Sequence, residues 1–487
     1  MTTRSITLDG ERSGRHGTAV PRGQTAEAAH DVLQGRFGQL FPDCQACAVS
    51  DDAIDVLVEL MKDKADSPQS NNNPSIPAGY TYLGQFIDHD ITFDPTSRLD
   101  QGNDLKALVN FRTPRYDLDS VYGSGRAAQP FLYDWKESEP AGTKLLVGRN
   151  AFDTTDDLPR NQQGRALIGD ARNDENVIIA QLHLLFIRFH NAVVDHLRRQ
   201  RTVRKRDLFD VAQRLVRWHY QWIVVHEFLP KVVGREMAKS VLADEDPNRE
   251  PVVRRRYFRW EGDPFIPVEF SGAAYRFGHS MVRNQYGLKR REQGEPAPKG
   301  RDLFPDLAGF KWLSRNLVIS WDRFFELSDA ELPPQPSFRI NTTIAGPLSN
   351  LPDRGGELPR RNLERGRALG LPSGQDVASA MKQAALPEEA LMLDEQIRPD
   401  IRSELLAATP LWYYILCEAA HAARGCHLGP VGGRIVAEVL VGLLEGDPSS
   451  YLSQEPGWRP TELKPKDEED EGDFTMAHLV EFTQRLE

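Results

Sequence analysis

The segment NDENVIIAQLHLLFIRFHNAVVDHLRRQ, residues 173–200, limits what this chain can fold into more than any other stretch. Ile178, Leu182, Leu185, Phe189, Val193 and Leu197 recur three or four apart and make one apolar stripe on a long helix. Arginines gather at its C-terminal end, where the helix dipole favours positive charge. A second helix is expected in RDLFDVAQRLVRWHYQWIVVHEFLPKVV, interrupted or ended at Pro230. The same periodicity marks AEAAHDVLQGRFGQLF and DAIDVLVELMKDKA, and further helices are expected around Ala274 to Tyr286, Gln375 to Ala384, Glu388 to Ile397, Leu411 to Ala423 and Pro430 to Leu444. Strand-like alternation is scarce. SPQSNNNPSIPAG reads as a loop, as do the Pro-, Gly- and charge-rich stretches 289–303, 332–337 and 349–361. The expectation is a mainly α protein: one large helical domain over 26–460 with long loops and little β. A flexible polar arm is expected at 1–25, and an acidic loop (DEEDEGD) with a C-terminal helix at 461–487.

Charge and composition narrow the function classes. Sixty basic against 71 acidic residues give a formal net charge of -11, so no generic basic footprint for nucleic acid or an anionic membrane is present. The N-terminal MTTRSITLDGERSGRHG has no apolar core of a signal peptide, and no stretch is read as a membrane span, which needs roughly 18 apolar residues. A soluble, cytoplasmic protein is the default expectation, with secretion lacking a recognisable signal as the other option. Four cysteines in 487 residues argue against a disulfide framework. Cys44 and Cys47 form a lone CxxC without the flanks of a zinc ribbon, so free thiols are expected.

Four segments carry candidate chemistry. In GQFIDHDITFDP, Gln85 and His89 are four apart and share a helix face, with Asp88 and Asp90 beside the histidine. A structural histidine on a polar helix would look the same. In FRTPRYDLDSVYGS, Asp117 and Asp119 alternate after Thr113 and offer hard oxygens to calcium, although such a DxD alone is more often an Asx turn. In IGDARNDEN, Arg172, Glu175 and Asn176 are spaced to share a face at the start of the long helix. Arg172 there could hold an anionic or peroxidic oxygen or simply pair with a nearby acid. In YRFGHSMV, Arg276 and His279 are three apart, although a lone histidine there is more often a satisfied core residue than a ligand; RRNLERGRALGLPSGQ offers Asn362 ahead of a turn, as a hydrogen-bond partner for an imidazole or simply as a cap or turn residue.

Together, GQxxDHD, DxxxVYGS, GDxRxxE, RxGH and an Asn before a Gly-Leu-Pro turn, in this order from about residue 75 to about 445, resemble the animal-type haem peroxidases of the peroxidase-cyclooxygenase superfamily. The scarcity of cysteine suggests a bacterial-type member. The resemblance implies haem b and hydrogen peroxide. It makes His89 the distal histidine with Gln85 beside it, Arg172 the distal arginine, and His279 the iron ligand. Asn362 would bond the ligand's other ring nitrogen, and Arg276 would lie on the proximal side. Asp88 and Glu175 fall where the family esterifies the haem. Asp90, Thr113, Arg115 through its carbonyl, Asp117 and Asp119 fall on its calcium site. In chemical terms, a neutral His89 can take a proton from one peroxide oxygen and return it to the other, while Arg172 stabilises the charge that develops.

Departures from the family refine the expected donor. Asn176 stands where the myeloperoxidase branch has a methionine joined to a haem vinyl, which argues against strong chloride oxidation. Three residues before His279, where the fatty-acid oxygenases place a radical tyrosine, this chain has Arg276. Tyr275, one place earlier, is expected to point elsewhere. The expected activity is therefore peroxide reduction with oxidation of halide, pseudohalide or phenolic donors. A fatty-acid dioxygenase or hydroperoxide-converting enzyme is the alternative within the superfamily, and a non-catalytic haem- or calcium-binding protein the alternative of another class. A zinc hydrolase is disfavoured, because His226-Glu227 lacks the second histidine of HExxH and His183, His190 and His219 sit in apolar helices where packing is the expected role.

Overall fold

The structure is a computed structural model that describes residues 35–63, 68–93, 109–110, 112–136, 139–244, 250–290, 299–352, 356–464 and 474–486. The expected N-terminal arm and the acidic run near 468 lie outside the described residues. At the centre is the helix Val177–Gln200. Asn176 caps its start by accepting from the Ile178 amide, and Arg201 ends it in the left-handed region with φ 55°. Its apolar surface is wider than the single expected stripe. By length and composition the helix could cross a membrane, contrary to the reading that no stretch reaches that size, yet 89% of its most apolar window is buried within the protein.

The helices Gly79–Ile91, Leu208–Trp222 and Met476–Arg485 cover it. Phe86 stacks on Phe186 with centroids 4.7 Å apart, and the Tyr220 ring meets both edge-on. Phe474 packs on His219 at 4.5 Å and Phe482 on Phe189 at 5.9 Å, so the described part of the C-terminal segment completes this core. The Leu208–Trp222 helix passes into one π-helical turn, Ile223–Phe228, ahead of Pro230 and then resumes as Leu229–Val233. Pro230 sits near the start of the resumed helix, where a missing N–H is tolerated, so it does not end the segment.

Helices Asp51–Met61, Leu411–Ala423 and Pro430–Glu445 stand where the periodicity places them, and Gly374–Ala380 falls slightly short. Elsewhere tertiary pairing overrides local pattern. Gly35–Gly38 is a strand rather than helix, pairing Phe37 with Ile266 and Gly35 with Asn110. A side chain at Gly38 would meet the Phe265 ring at 2.5 Å. Asn72–Pro77, read as loop, is a strand paired with Pro336–Phe338. The expected helix from Ala274 is a 3-10 helix that stops at Met281, and Glu388–Leu391 is a single 3-10 turn. Leu358–Ala368, read partly as loop, is a helix opened by Pro359. Helices Arg235–Val241 and Pro399–Ala407 were not anticipated. The sheets are small, one of three strands and the others of two, as the low β expectation required.

The loop 308–310 clamps the turn that precedes the central helix. The Gly309 and Phe310 amides donate to the carbonyls of Glu175 and Asp174 at 3.0 and 2.7 Å. A Cβ on Gly309 would lie 1.8 Å from the Asp174 oxygen. Gly309→Ala is therefore expected to cost about 1–3 kcal/mol, as an over-packed contact does, measured by urea unfolding against the parent.

Candidate active site

The helix Gly79–Ile91 and the 3-10 helix Ala274–Met281 both line a cavity of about 410 Å³. Gln85, Asp88 and His89 enter from the first, Tyr275, Arg276 and His279 from the second, and Glu175 and Asn176 from the turn ahead of the central helix. A Cβ at Gly278 would meet nothing within 4 Å, which leaves open space beside His279. An adjoining lobe of about 190 Å³ shares Asp88, Ser271 and Arg276 with the cavity and adds Thr92, Arg172 and Arg365. A flat group with anionic substituents fits this outline: a largely apolar chamber, one imidazole from each element, and a basic end formed by Arg172, Arg276 and Arg365.

His89 is 4% exposed, and its Nδ1 lies 2.7 Å from Oδ1 of Asn173. The Asn173 amide nitrogen lies 3.0 Å from Nδ1 of His183. An amide oxygen only accepts, so His89 carries its proton on Nδ1 and leaves the Nε2 lone pair free, 3.9 Å from Glu175. Burial, helped by the charge of Arg172, lowers the His89 pKa to about 4 and keeps the ring neutral. Gln85 donates to the same Glu175 oxygen. Desolvation pushes the Glu175 carboxyl up to about 7, against the pull of Arg172, although 42% of its side chain remains accessible along the cavity.

Arg172, Glu175 and Asn176 do not share a helical face as expected. Ala171–Asp174 is a 3-10 turn, and Asn176 is an extended cap. Arg172 lies between Asp170, whose Oδ2 is 2.8 Å from its Nη2, and the carbonyls of His89 and Thr92 at 3.1 and 2.6 Å. It thereby closes the C-terminal end of the helix bearing His89, where the dipole favours a cation. The two arginines Arg112 and Arg172 hold the Asp170 carboxyl well below the usual carboxylate range despite its burial.

On the other side, Nδ1 of His279 lies 2.8 Å from Nδ2 of Asn362. Arg276 donates to Asn362 Oδ1 at 3.2 Å and to the Ser271 carbonyl at 2.8 Å. Asn362 was placed ahead of a turn by the sequence; it is within a helix, 1% exposed, and points into this contact. Burial, with Arg276 and Arg361 nearby, lowers the His279 pKa to about 3. Tyr275 does not point elsewhere. It lines the cavity, because the 3-10 winding replaces the expected α-helix, and its hydroxyl donates to the Gly84 carbonyl at 3.2 Å.

Beneath His89, the carboxylates of Asp90, Asp117 and Asp119 converge, with one oxygen of each within 4.8 Å of the others. All three are buried. Among the described residues Asp90 Oδ1 has no hydrogen-bond partner, and desolvation with the neighbouring acids raises the Asp90 pKa well above normal. The same causes move Asp117 to about 6; Asp119 also reaches about 6, by desolvation against the pull of Arg112. Thr113 Oγ1 donates to Asp117 Oδ2 at 2.8 Å. The Arg115 side chain turns toward Asp447 and Asp263, leaving only its carbonyl as a possible ligand. Leu118, between the two aspartates, is left-handed with φ 55°.

Four residues of this site escaped the sequence reading. Asp170 and Asn173 flank Arg172, His183 was assigned to packing, and Arg112 bridges Asp119 and Asp170. Asp170 stood unassigned in the GDxRxxE motif, Asn173 was signalled only by its proximity to Arg172, and His183 is recognisable only once Asn173 is seen to face it.

Two histidines line one chamber, one bonded to Asn173 and the other to Asn362, with a buried acid cluster behind the first, in a mainly helical fold. The family model described as animal haem peroxidase matches residues 98–385, more than half of the chain, and this chain belongs to that family. The matched span holds Arg172, His279 and Asn362 and begins after His89. The chain is 26% identical to chorion peroxidase of Drosophila melanogaster over 419 residues, covering 81% of this chain and 48% of that protein. It is 27% identical to thyroid peroxidase of Canis lupus familiaris over 54% of this chain and 29% of the other. It thus spans about half the length, or less, of these curated relatives. Among solved structures, peroxidase A of Dictyostelium discoideum superposes with a TM-score of 0.62 at 15% identity, covering 91% and 92% of the two chains. Fatty acid α-dioxygenase of Oryza sativa gives 0.58 at 14%, covering 88% and 77%. These likenesses support the fold.

The Asn173 link generates a prediction. Asn173→Ala removes the shared partner of two buried imidazoles and is expected to cost about 1–3 kcal/mol in urea unfolding. Nitrogen NMR of His89 should then show a mixture of tautomers where the parent shows one.

Proposed function

We propose that this chain is a haem peroxidase that reduces hydrogen peroxide and oxidises small donors, halide or pseudohalide ions or phenols. The observation that carries this reading is the placement of His89: a buried, neutral ring with Nδ1 2.7 Å from Asn173 Oδ1, lining the same cavity as His279. Haem bound there supplies the redox chemistry. His279 would hold its iron, and Asn362, whose Nδ2 lies 2.8 Å from His279 Nδ1 and whose Oδ1 accepts from Arg276, would orient the ring. Arg276 and Arg365 would receive its carboxylates.

His89 Nε2 takes a proton from the near peroxide oxygen and returns it to the departing one, so water leaves without a free proton crossing the cavity. Gln85, hydrogen-bonded to Glu175, orients the polar edge of the chamber. Arg172, fixed by Asp170, adds positive potential as negative charge builds on the leaving oxygen. Asp88 and Glu175 are the carboxylates from which ester links to the haem would form. Calcium would sit among Asp90, Thr113, Asp117, Asp119 and the Arg115 carbonyl, where three buried acids and an unpartnered oxygen call for a cation. Its place next to His89 would stiffen the catalytic helix.

The second reading, a fatty-acid oxygenase, gains from Tyr275 lining the cavity. The hydroxyl is tied to the Gly84 carbonyl, however, and Arg276 holds the position nearer His279.

His279→Ala is expected to abolish stable haem binding; a normal Soret band in that variant refutes the ligand assignment. His89→Ala should keep haem and slow the reaction with peroxide by about 10²–10⁴-fold in stopped-flow, the usual weight of general acid-base catalysis. Chelation by EGTA, or Asp90→Ala, should lower the calcium content found by metal analysis and the thermal midpoint together. An unchanged midpoint with EGTA would count against the calcium site.

A further inference from the structure

Tyr80, 2% exposed, lines both the first cavity and a second one of about 690 Å³. The Tyr80 hydroxyl donates to Glu227 Oε1 at 2.5 Å, and Glu227 Oε2 accepts from the Met476 amide at 2.8 Å. Glu227 belongs to the π-helical turn Ile223–Phe228, an irregularity often found at functional sites. The Lys231 ammonium stands 4.8 Å from the centre of the Tyr80 ring. A buried tyrosine bonded to a carboxylate can be a satisfied core pair. This one faces the proposed haem chamber on one side and an open cavity on the other.

The second cavity also has a recognisable chemistry. Among the described residues that line it, each acid is engaged: Glu227 with Tyr80 and Met476, Glu326 with Lys231 at 3.6 Å, and Asp244 with Arg459 at 2.6 Å. Arg235 and Lys239 are exposed and bring positive charge to it, while Phe474 and Tyr80 offer aromatic surface. Its size suits a molecule with one aromatic ring.

We infer that the second cavity binds a phenolic donor carrying a carboxylate, and that Tyr80 relays the donor's electron to the haem chamber while Glu227 holds the tyrosine's proton. This rests on the peroxidase reading, with hydrogen peroxide as the oxidant. In the first step Tyr80 gives one electron to the haem centre and its hydroxyl proton to Glu227, leaving a neutral phenoxyl. In the second the donor phenol gives one electron to that phenoxyl, Glu227 returns the proton, and the donor's own proton leaves to solvent. Two such cycles consume the two oxidising equivalents of one peroxide and release two donor radicals.

The test compares the haem-loaded parent with Tyr80→Phe and Glu227→Gln. Each is mixed with hydrogen peroxide, freeze-quenched for electron paramagnetic resonance, and assayed with p-coumarate. The expected result is a tyrosyl signal in the parent that is lost in Tyr80→Phe, a spin-trap adduct mapped to Tyr80 by mass spectrometry, and loss of p-coumarate turnover. Glu227→Gln should slow that turnover and enlarge its solvent isotope effect. If the Soret band responds to peroxide while the radical signal and p-coumarate turnover survive in Tyr80→Phe, the relay is overturned and the peroxidase reading stands. A parent Soret band that ignores peroxide overturns both.

Discussion

The carboxylate of Asp170 is the contact on which the rest of the site depends. It lies between Arg112 and Arg172, and those arginines reach in opposite directions. Arg112 continues to Asp119, and so to the acid cluster, while Arg172 continues to the carbonyls that end the helix carrying His89. Charges therefore alternate along a buried line from Asp119 to the helix terminus. Removing one member of a buried pair leaves an uncompensated charge at a cost of about 3–5 kcal/mol, so such a line holds its members in one arrangement. Three segments far apart in sequence, around residues 90, 115 and 172, are fixed relative to one another by it.

That arrangement leaves an excess of negative charge. Asp90, Asp117 and Asp119 crowd one point, and Arg112 is shared with Asp170. The divalent cation proposed for this point would balance that charge. The same logic separates the two histidines. Each is kept neutral by burial and each has Nδ1 engaged by an asparagine, His89 by the amide oxygen of Asn173 and His279 by the amide nitrogen of Asn362.

Much of this was legible in the sequence, for physical reasons that differ by residue. Gln85, Asp88 and His89 were readable because a regular helix with fixed spacing carries them, and that helix, Gly79–Ile91, forms as expected. His279 and Arg276 were readable as a pair, but the winding of their segment was not. A 3-10 helix and an α-helix share the same short-range spacing and differ in which neighbours face a cavity, and so Tyr275 was misplaced. Asp170, Asn173 and Arg112 could not be found because their roles exist only through partners in distant segments. The strands at 35–38 and 72–77 were missed for the same reason, since the first is held by two long-range pairings and the second by one, rather than by their own pattern.

The central claim is that His89 and His279 hold and activate a peroxide-reactive haem. It is tested most directly by the absorption spectrum of the purified, haem-supplemented protein before and after one equivalent of hydrogen peroxide. The account predicts a Soret band that shifts rapidly on mixing and returns when a phenol or bromide is added. A protein that takes up no haem, or one whose Soret band is indifferent to peroxide, would contradict it.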